Sequence, residues 1–235
     1  MFIHRLGVAA GGGFPPWNCT CTGCRKARAK SEIATKHAAT AISGDGEHWF
    51  LLNATPDVRH QTAADPSLHP GPQIGATPVA GVLLTDAEFD HTIGLLMLRE
   101  ESALTAYATY PVLEALTSWR HSRLSGPSAE WEVGFRLEDK ATGGSVVYAP
   151  TLHPWDAEFA EQVASADRVF LDGTFWTDDE MSIHGARALA ALPAKRKIYP
   201  HINNTNPILD EGSQERRWLT GLGIEIGRAG LEVEV

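Results

Sequence analysis

The sequence is poor in cysteine and in basic residues, and it contains no long hydrophobic run. Its 235 residues include three cysteines, and 20 Lys and Arg against 29 Asp and Glu give a formal net charge of −9. Such an acidic chain is not expected to bind nucleic acid, because phosphate contacts need clustered cations. The longest apolar runs, such as residues 80–84, are too short to span a bilayer, and residues 1–6 show no secretory signal. We therefore expect a cytoplasmic protein without a membrane partner.

A chain of this length is expected to form a single domain, here residues 1–235, with its own buried core. The glycine run at residues 11–13 lacks both the Gly-Lys-Ser/Thr ending and the spacing of phosphate-binding loops, so a nucleotide site is not predicted. Apolar segments and turn signals predict strands first and then a mixture of strands and helices. This order is typical of a layered α/β protein. The sequence leaves monomer and homodimer both open.

Acidic and imidazole side chains follow three apolar segments that are predicted to be buried strands. These residues are Asp86, Glu88, Asp90 and His91 after residues 79–84, Asp172 after residues 168–171, and His201 after residues 197–199. The ends of buried strands in layered α/β folds point into a shared crevice. Carboxylates and imidazoles gathered there suit a divalent metal such as Zn, Fe or Mn, and a cation also offsets the repulsion between carboxylates. Each residue could instead cap a helix or a turn, but the recurrence at several strand ends favours a metal site.

The three cysteines form the pattern Cys19-x-Cys21-x-x-Cys24. An odd number of cysteines within six residues is a poor disulfide framework, whereas three thiolates at this spacing can wrap one Zn²⁺. We therefore predict a structural zinc loop at residues 18–28, the alternative being three unliganded buried cysteines. The fourth ligand must come from elsewhere. His201 is the first candidate and His4 the second, so two predicted sites compete for His201.

The spacing Asp86-x-Glu88-x-Asp90-His91 resembles the His-x-His-x-Asp-His motif of the metallo-β-lactamase superfamily, with the first two histidines replaced. This resemblance implies an αββα four-layer sandwich. It also matches Asp172 with the superfamily's bridging aspartate.

The same resemblance extends to the histidines in the second half of the chain. His201 matches the superfamily's last histidine, and the middle histidine has no equivalent other than His121. Related enzymes carry a histidine near His184 that faces the reacting group, so His184 is either a proton-transfer residue or a surface histidine.

Longer blocks resemble one family within this superfamily, the pyrroloquinoline quinone (PQQ) biosynthesis protein B (PqqB) family. The blocks follow the family's order along the chain, at residues 9–24, 45–49, 51–57, 90–92, 94–100, 172–176 and 201–210. The chain is shorter than the family pattern, chiefly between Tyr110 and Glu130 and between Met181 and Ala191.

The PqqB resemblance implies a role in making the redox cofactor PQQ, as a metal-dependent hydroxylase of the tyrosine ring of a Glu- and Tyr-derived peptide precursor. The alternatives are a carrier that moves PQQ or its precursor toward the periplasm, and a zinc-dependent hydrolase or phosphodiesterase. Iron would leave open positions for O₂, whereas a zinc-bound hydroxide would hydrolyse an ester or amide, so the metal separates these activities. The predicted catalytic residues are Asp90, His91, Asp172 and His184, and the predicted active-site ligands are Asp86, Glu88, Asp90, His91, Asp172 and His201.

Overall fold

The structure is a computed structural model that describes residues 1–99, 103–117, 131–151, 155–174, 176 and 182–235, without the side chains of residues 182–185 and 188. His121 and the side chain of His184 lie outside the described residues.

The described part of the chain contains eleven strands in two sheets. The strands are β1 (Phe2–Gly7), β2 (Ala39–Ser43), β3 (Trp49–Leu52), β4 (Val79–Leu83), β5 (Thr105–Tyr107), β6 (Phe135–Glu138), β7 (Ser145–Ala149), β8 (Arg168–Asp172), β9 (Arg196–His201), β10 (Ile224–Ile226) and β11 (Glu232–Glu234). The first sheet has the order β11-β1-β2-β3-β4-β5, and the second has the order β10-β9-β8-β7-β6. Strands β3 to β5 are parallel to one another, and so are β7 to β10. The carboxyl ends of each parallel set therefore meet at one edge of its sheet.

The described residues form seven helices, of which five cover the outer faces of the two sheets. They are α1 (Thr22–Ala29), α2 (Val58–Ala64), α3 (Phe89–Thr92), α4 (Tyr110–Thr117), α5 (Ala157–Ala164), α6 (Ser182–Ala191) and α7 (Gln214–Gly221), with 3-10 turns at Ser31–Ile33, Pro66–Leu68, Ile93–Leu98 and Pro207–Leu209. Side chains of α2 and α4 pack on the first sheet. Side chains of α5, α6 and α7 pack on the second.

A central core joins the inner faces of the two sheets. It contains Ile3 and Ile42 from the first sheet and Tyr148, Phe170 and Ile198 from the second. Both faces of each sheet are thus covered, which explains why its central strands are almost continuously apolar rather than alternating. The αββα four-layer sandwich expected from the sequence is confirmed. None of the helices in the described residues is both long enough and apolar enough to cross a membrane.

Two segments differ locally from the sequence prediction. The cysteine segment is not a loop throughout, because α1 begins directly after Cys21, whose Sγ accepts a hydrogen bond from the Cys24 amide at 3.5 Å. The apolar pattern of residues 92–99 predicts one helix, but this region contains the end of the short helix α3 followed by a 3-10 turn. The Gly94 amide donates to the Ala54 carbonyl at 2.9 Å, which diverts it from the carbonyl four residues back that a continuing α-helix would use.

Candidate metal centre

Three ligand atoms converge at the carboxyl ends of β4 and β9. The nearest ligand atoms of Asp90, His91 and His201 all lie within 4.8 Å of one another. Asp90 Oδ2 is 3.7 Å from His91 Nε2 and also 3.7 Å from His201 Nε2. Asp90 and His91 follow β4 in the first sheet, and His201 is the last residue of β9 in the second. The site therefore bridges the two sheets. The structure therefore brings together three of the residues that the sequence predicted as metal ligands.

The backbone that carries His91 is fixed by the segment that follows β3. The Ala54 amide donates to the His91 carbonyl at 2.7 Å. Asn53, which has a positive φ of 69°, accepts a hydrogen bond from the Thr85 amide at 3.0 Å through its side-chain oxygen. A buried asparagine tolerates this left-handed conformation better than most residues do. The carboxyl ends of β3 and β4 are thereby tied to each other beside the site.

Asp86 stands behind His91 and does not join the three converging atoms. Its carboxylate accepts a hydrogen bond from His91 Nδ1 at 2.7 Å, and it also accepts from the Thr85 and Thr151 hydroxyls at 2.8 and 3.0 Å. Burial alone would raise the pKa of Asp86, but the hydrogen bond and charge of His91 outweigh burial and lower it. An ionised carboxylate on Nδ1 fixes the tautomer in which Nε2 presents its lone pair. Asp86 thus orients a ligand, whereas the sequence predicted a direct ligand.

His201 is held in a comparable way on the other side of the site. Its Nδ1 lies 2.6 Å from the Thr174 hydroxyl and 3.5 Å from Asp172 Oδ1. The same Asp172 oxygen accepts hydrogen bonds from the Thr174 amide, at 2.9 Å, and from its hydroxyl. Asp172 therefore faces the Nδ1 side of His201, away from the Nε2 that points at Asp90. The structure does not place Asp172 within the group of three ligand atoms.

Glu88 also lies outside this group, because its side chain is exposed. Partial burial and the charges of Asp86 and Asp90 raise the pKa of Glu88. The Glu88 backbone contributes to the local structure, because its carbonyl accepts a hydrogen bond from the Thr92 hydroxyl at 2.8 Å. The spacing that resembled a ligand motif thus contains two residues of the converging group, Asp90 and His91, one residue that orients His91, and one exposed carboxylate.

The electrostatics of the three converging residues favour opposite charges on neighbouring groups. Burial would raise the pKa of Asp90, but the neighbouring His201 imidazole, together with the charge of His91, lowers it to about 2. Burial would lower the pKa of His201, but Asp172 and Asp90 raise it to about 9. A cation that binds here takes the place of the proton on His201, so metal binding is expected to release a proton.

A second, independent observation supports a metal ion at these three residues. Five buried side-chain nitrogen or oxygen atoms within the described residues lack a hydrogen-bond partner, and two of them are His91 Nε2 and His201 Nε2. Buried polar atoms normally have a hydrogen-bond partner, and a bound ion is one of the accepted reasons for an exception. Both imidazoles are held at Nδ1 and partnerless at Nε2, which is the arrangement expected of metal-binding histidines.

The sulfurs of Cys19, Cys21 and Cys24 form a second group, with all three atoms within 4.8 Å of one another. Neither predicted fourth ligand joins it. His201 belongs to the centre described above, and His4 Nδ1 pairs with Asp65 at 2.8 Å. The side chain that reaches the sulfurs is that of Asn204, whose Nδ2 lies 3.2 Å from Cys19 Sγ and 3.4 Å from Cys24 Sγ.

One titratable pair near the centre was missed by the sequence analysis. His37 Nδ1 lies 2.7 Å from Asp57 Oδ2. Burial would lower the pKa of His37, but the hydrogen bond and charge of Asp57, with a smaller contribution from the charge of Asp90, raise it. The position of Asp57 after a strand, in the block Asn-Ala-Thr-Pro-Asp, is a signal of the kind that identified the other site residues. His37 carries no such signal, because it precedes β2 and belongs to no recognisable spacing.

Replacing Asp86 by Asn tests its role as an orienting residue. The amide cannot accept the hydrogen bond from His91 as a charged carboxylate does, so we expect the affinity of the centre for metal to fall by about 10-fold to 100-fold. Isothermal titration with Fe²⁺ or Zn²⁺ measures this change. Asp65→Asn is the matched control, because Asp65 makes the same bond with His4 away from the centre. Unchanged affinity in Asp86→Asn would contradict the assignment.

Comparison with known proteins places this site in a family. Residues 48–131 and 117–202 match the family model of the beta-lactamase superfamily domain. The chain is 34% identical to the coenzyme PQQ synthesis protein B of Pseudomonas aeruginosa over 304 residues, with 100% of both chains covered. It is 37% identical to that of Cupriavidus taiwanensis over 300 residues, with 98% of both covered.

A solved structure agrees with these relatives. Zinc-bound PqqB from Methylobacterium extorquens superposes with a TM-score of 0.90 at 30% identity over 100% of both chains. The chain is thus a β-lactamase superfamily protein with the metallo-β-lactamase fold. Within that superfamily it belongs to the coenzyme PQQ synthesis protein B family. The fold, the ligand groups and the zinc-bound relative support the metal cofactor that the sequence predicted.

Proposed function

We propose that this chain acts in PQQ biosynthesis as an iron-dependent hydroxylase of the tyrosine ring in a Glu- and Tyr-derived peptide precursor. The role in PQQ synthesis is supported by relatives of that name along the whole chain. The type of reaction is supported by the ligand set at the centre, which consists of two imidazoles and one carboxylate.

The observation that carries the proposal is the pair of buried, partnerless Nε2 atoms of His91 and His201 that face Asp90 Oδ2. Two histidines and one carboxylate with further positions open are the ligand set of non-haem Fe(II) oxygenases. A carrier protein would gain nothing from leaving two buried imidazole nitrogens without a partner, because each costs free energy in the absence of a ligand.

Iron bound at the centre would supply the activation of O₂. Residues of the chain orient the two histidines. Asp86 keeps the proton of His91 on Nδ1, and Nδ1 of His201 is contacted by the Thr174 hydroxyl and by Asp172. In the overall reaction one oxygen atom of O₂ replaces the hydrogen of a ring C–H bond as a hydroxyl group. The other oxygen atom leaves as water, which requires two electrons and two protons from an external reductant.

Zinc-dependent hydrolysis is the second candidate, and the same three residues favour it. Catalytic zinc sites use three protein ligands and leave a fourth position for water. The three cysteine sulfurs support a separate, structural zinc site. The metal that occupies the Asp90 centre therefore decides between oxidation and hydrolysis.

The two candidates are separated by loading the protein anaerobically with Fe²⁺ or with Zn²⁺ and adding the precursor peptide. With iron, ascorbate as reductant and ¹⁸O₂, we expect O₂ uptake and a product that has gained one labelled oxygen atom. The zinc-loaded protein is the control and should consume no O₂. Cleavage of the peptide by the zinc form alone would favour hydrolysis. The hydroxylase proposal fails if the iron form takes up no O₂.

A further inference from the structure

The region next to the metal centre contains a second His–Asp pair, half-buried, that the proposed chemistry does not use. Asp57 Oδ2 lies 2.7 Å from His37 Nδ1 and accepts a hydrogen bond from the His37 amide at 2.9 Å. One carboxylate oxygen thus fixes both the backbone and the ring of His37. The other ring nitrogen, Nε2, lies 3.2 Å from the Gly11 carbonyl oxygen.

The backbone of His37 is anchored as firmly as its ring. Its carbonyl accepts a hydrogen bond from Gln61 Nε2 at 2.8 Å, and Gln61 in turn accepts from the Thr55 hydroxyl at 2.7 Å. Thr55 and Gln61 are both buried. His37 therefore forms the end of a rigid polar network that starts in the segment after β3, the same segment that fixes the backbone of His91.

The turn at residues 10–13 lies between His37 and the metal centre. A Cβ atom added to Gly13 would lie 3.3 Å from His37 Cε1, so the imidazole packs directly against the turn. A Cβ atom added to Gly11 would lie 3.7 Å from Asp90 Oδ2, the oxygen that faces both Nε2 atoms. The turn is therefore in contact with His37 on one side and close to the Asp90 carboxylate on the other.

The same turn is tied to the strand that carries His201. The Ala10 amide donates to the Ile202 carbonyl at 2.9 Å, and the Ile202 amide donates to the Val8 carbonyl at 2.9 Å. Its position consequently affects both halves of the centre, the Asp90 carboxylate and the backbone next to His201. A Cβ atom at Gly11 would be in ordinary van der Waals contact with the Asp90 carboxylate, which shows how near the turn lies to this ligand atom.

We propose that His37 is a positioning residue for the metal centre, which holds the turn at residues 10–13 against the Asp90 carboxylate. Asp57 keeps the imidazole in place, and the Nε2–H group donates to the Gly11 carbonyl. This inference rests on the metal centre of the proposed function and extends the set of residues on which that centre depends.

The test compares metal binding by wild type, His37→Ala and His37→Gln. In His37→Ala we expect the affinity of the Asp90 centre for Co²⁺ to fall about tenfold or more, as for other residues that orient ligands. His37→Gln keeps an N–H donor for Gly11 and should lie between the two. Co²⁺ absorption separates the sites, because thiolate ligands give intense charge-transfer bands that carboxylate and imidazole ligands do not.

His4→Gln is the matched control, because His4 Nδ1 lies 2.8 Å from the half-buried carboxylate of Asp65 and the His4 ring packs against Trp49. It should lower thermal stability without changing metal affinity at the Asp90 centre. Wild-type affinity in both His37 variants would overturn the inference, and so would an equal loss in His4→Gln. If wild type binds metal only at the cysteines, the proposed function fails together with this inference. If wild type binds at both sites and the His37 variants do as well, only the inference fails.

Discussion

His201→Ala is expected to remove the metal at the Asp90 centre while leaving metal at the cysteine sulfurs in place. His201 supplies one of three converging ligand atoms and does not belong to the group of cysteine sulfurs. Loss of a direct ligand should weaken binding at least as much as loss of an orienting residue, by about 100-fold or more. Turnover of the precursor should fall below detection. Metal analysis of the purified variant and Co²⁺ spectra measure the two sites separately.

This variant also decides between the two roles that the sequence assigned to His201. If His201 completed the cysteine site, the thiolate bands of Co²⁺ would change and the stability of the fold would fall with them. His48→Ala is a suitable control, because His48 is an exposed histidine in the turn between β2 and β3. Retention of a full second equivalent of metal in His201→Ala would refute the centre described here.

Gly94→Ala is expected to destabilise the fold by about 3 kcal/mol, at the upper end of the range for overpacked sites. A Cβ atom at Gly94 would lie 2.2 Å from the Thr55 carbonyl oxygen and 2.7 Å from the Ala54 carbonyl carbon and oxygen. These are backbone atoms, so they cannot rotate away as a side chain would. The segment after β3 would have to move, and the Ala54 amide that donates to the His91 carbonyl would move with it. Urea unfolding monitored by tryptophan fluorescence measures the change in free energy of unfolding.

Gly221→Ala provides the comparison for this prediction. Nothing lies within 4 Å of a Cβ atom at Gly221, which is the last residue of α7. Alanine is favoured over glycine in a helix, so this variant should be neutral or slightly more stable. A Gly94 variant with wild-type stability and metal affinity would show that the two backbone segments are not packed as closely as the structure has them.

The fold was predictable from the sequence because its strands carry their own signal. The apolar segments at residues 79–84 and 168–171 became β4 and β8 within a residue or two, since strands buried on both faces must be apolar throughout. The 3-10 turn at Ile93–Leu98 was not predictable. Its cause is the hydrogen bond from the Gly94 amide to Ala54, a residue forty positions earlier in the chain.

The site was predictable only as a set of residue types at strand ends. Asp90, His91 and His201 do converge, as the strand-end argument required. Asp86 also follows a strand, yet its carboxylate accepts from His91 Nδ1, because the Thr85 and Thr151 hydroxyls hold that carboxylate on the Nδ1 side of the ring. The Asp172 carboxylate accepts a hydrogen bond from the Thr174 amide and likewise lies outside the group of converging atoms. The predicted role of His184 remains a prediction.

The sequence alone determined which chemical groups are available, the order of strands and helices, and the family resemblance that the relatives confirm. Only the tertiary structure decided which groups lie together. It placed His201 beside Asp90 and not among the cysteine sulfurs, and it placed His37 against the turn next to Asp90. The physical reason is that ligand geometry depends on distances of a few ångströms between strands that are far apart in the chain. Those distances are set by packing of the two sheets and by buried hydrogen bonds, which leave no periodic pattern in the sequence.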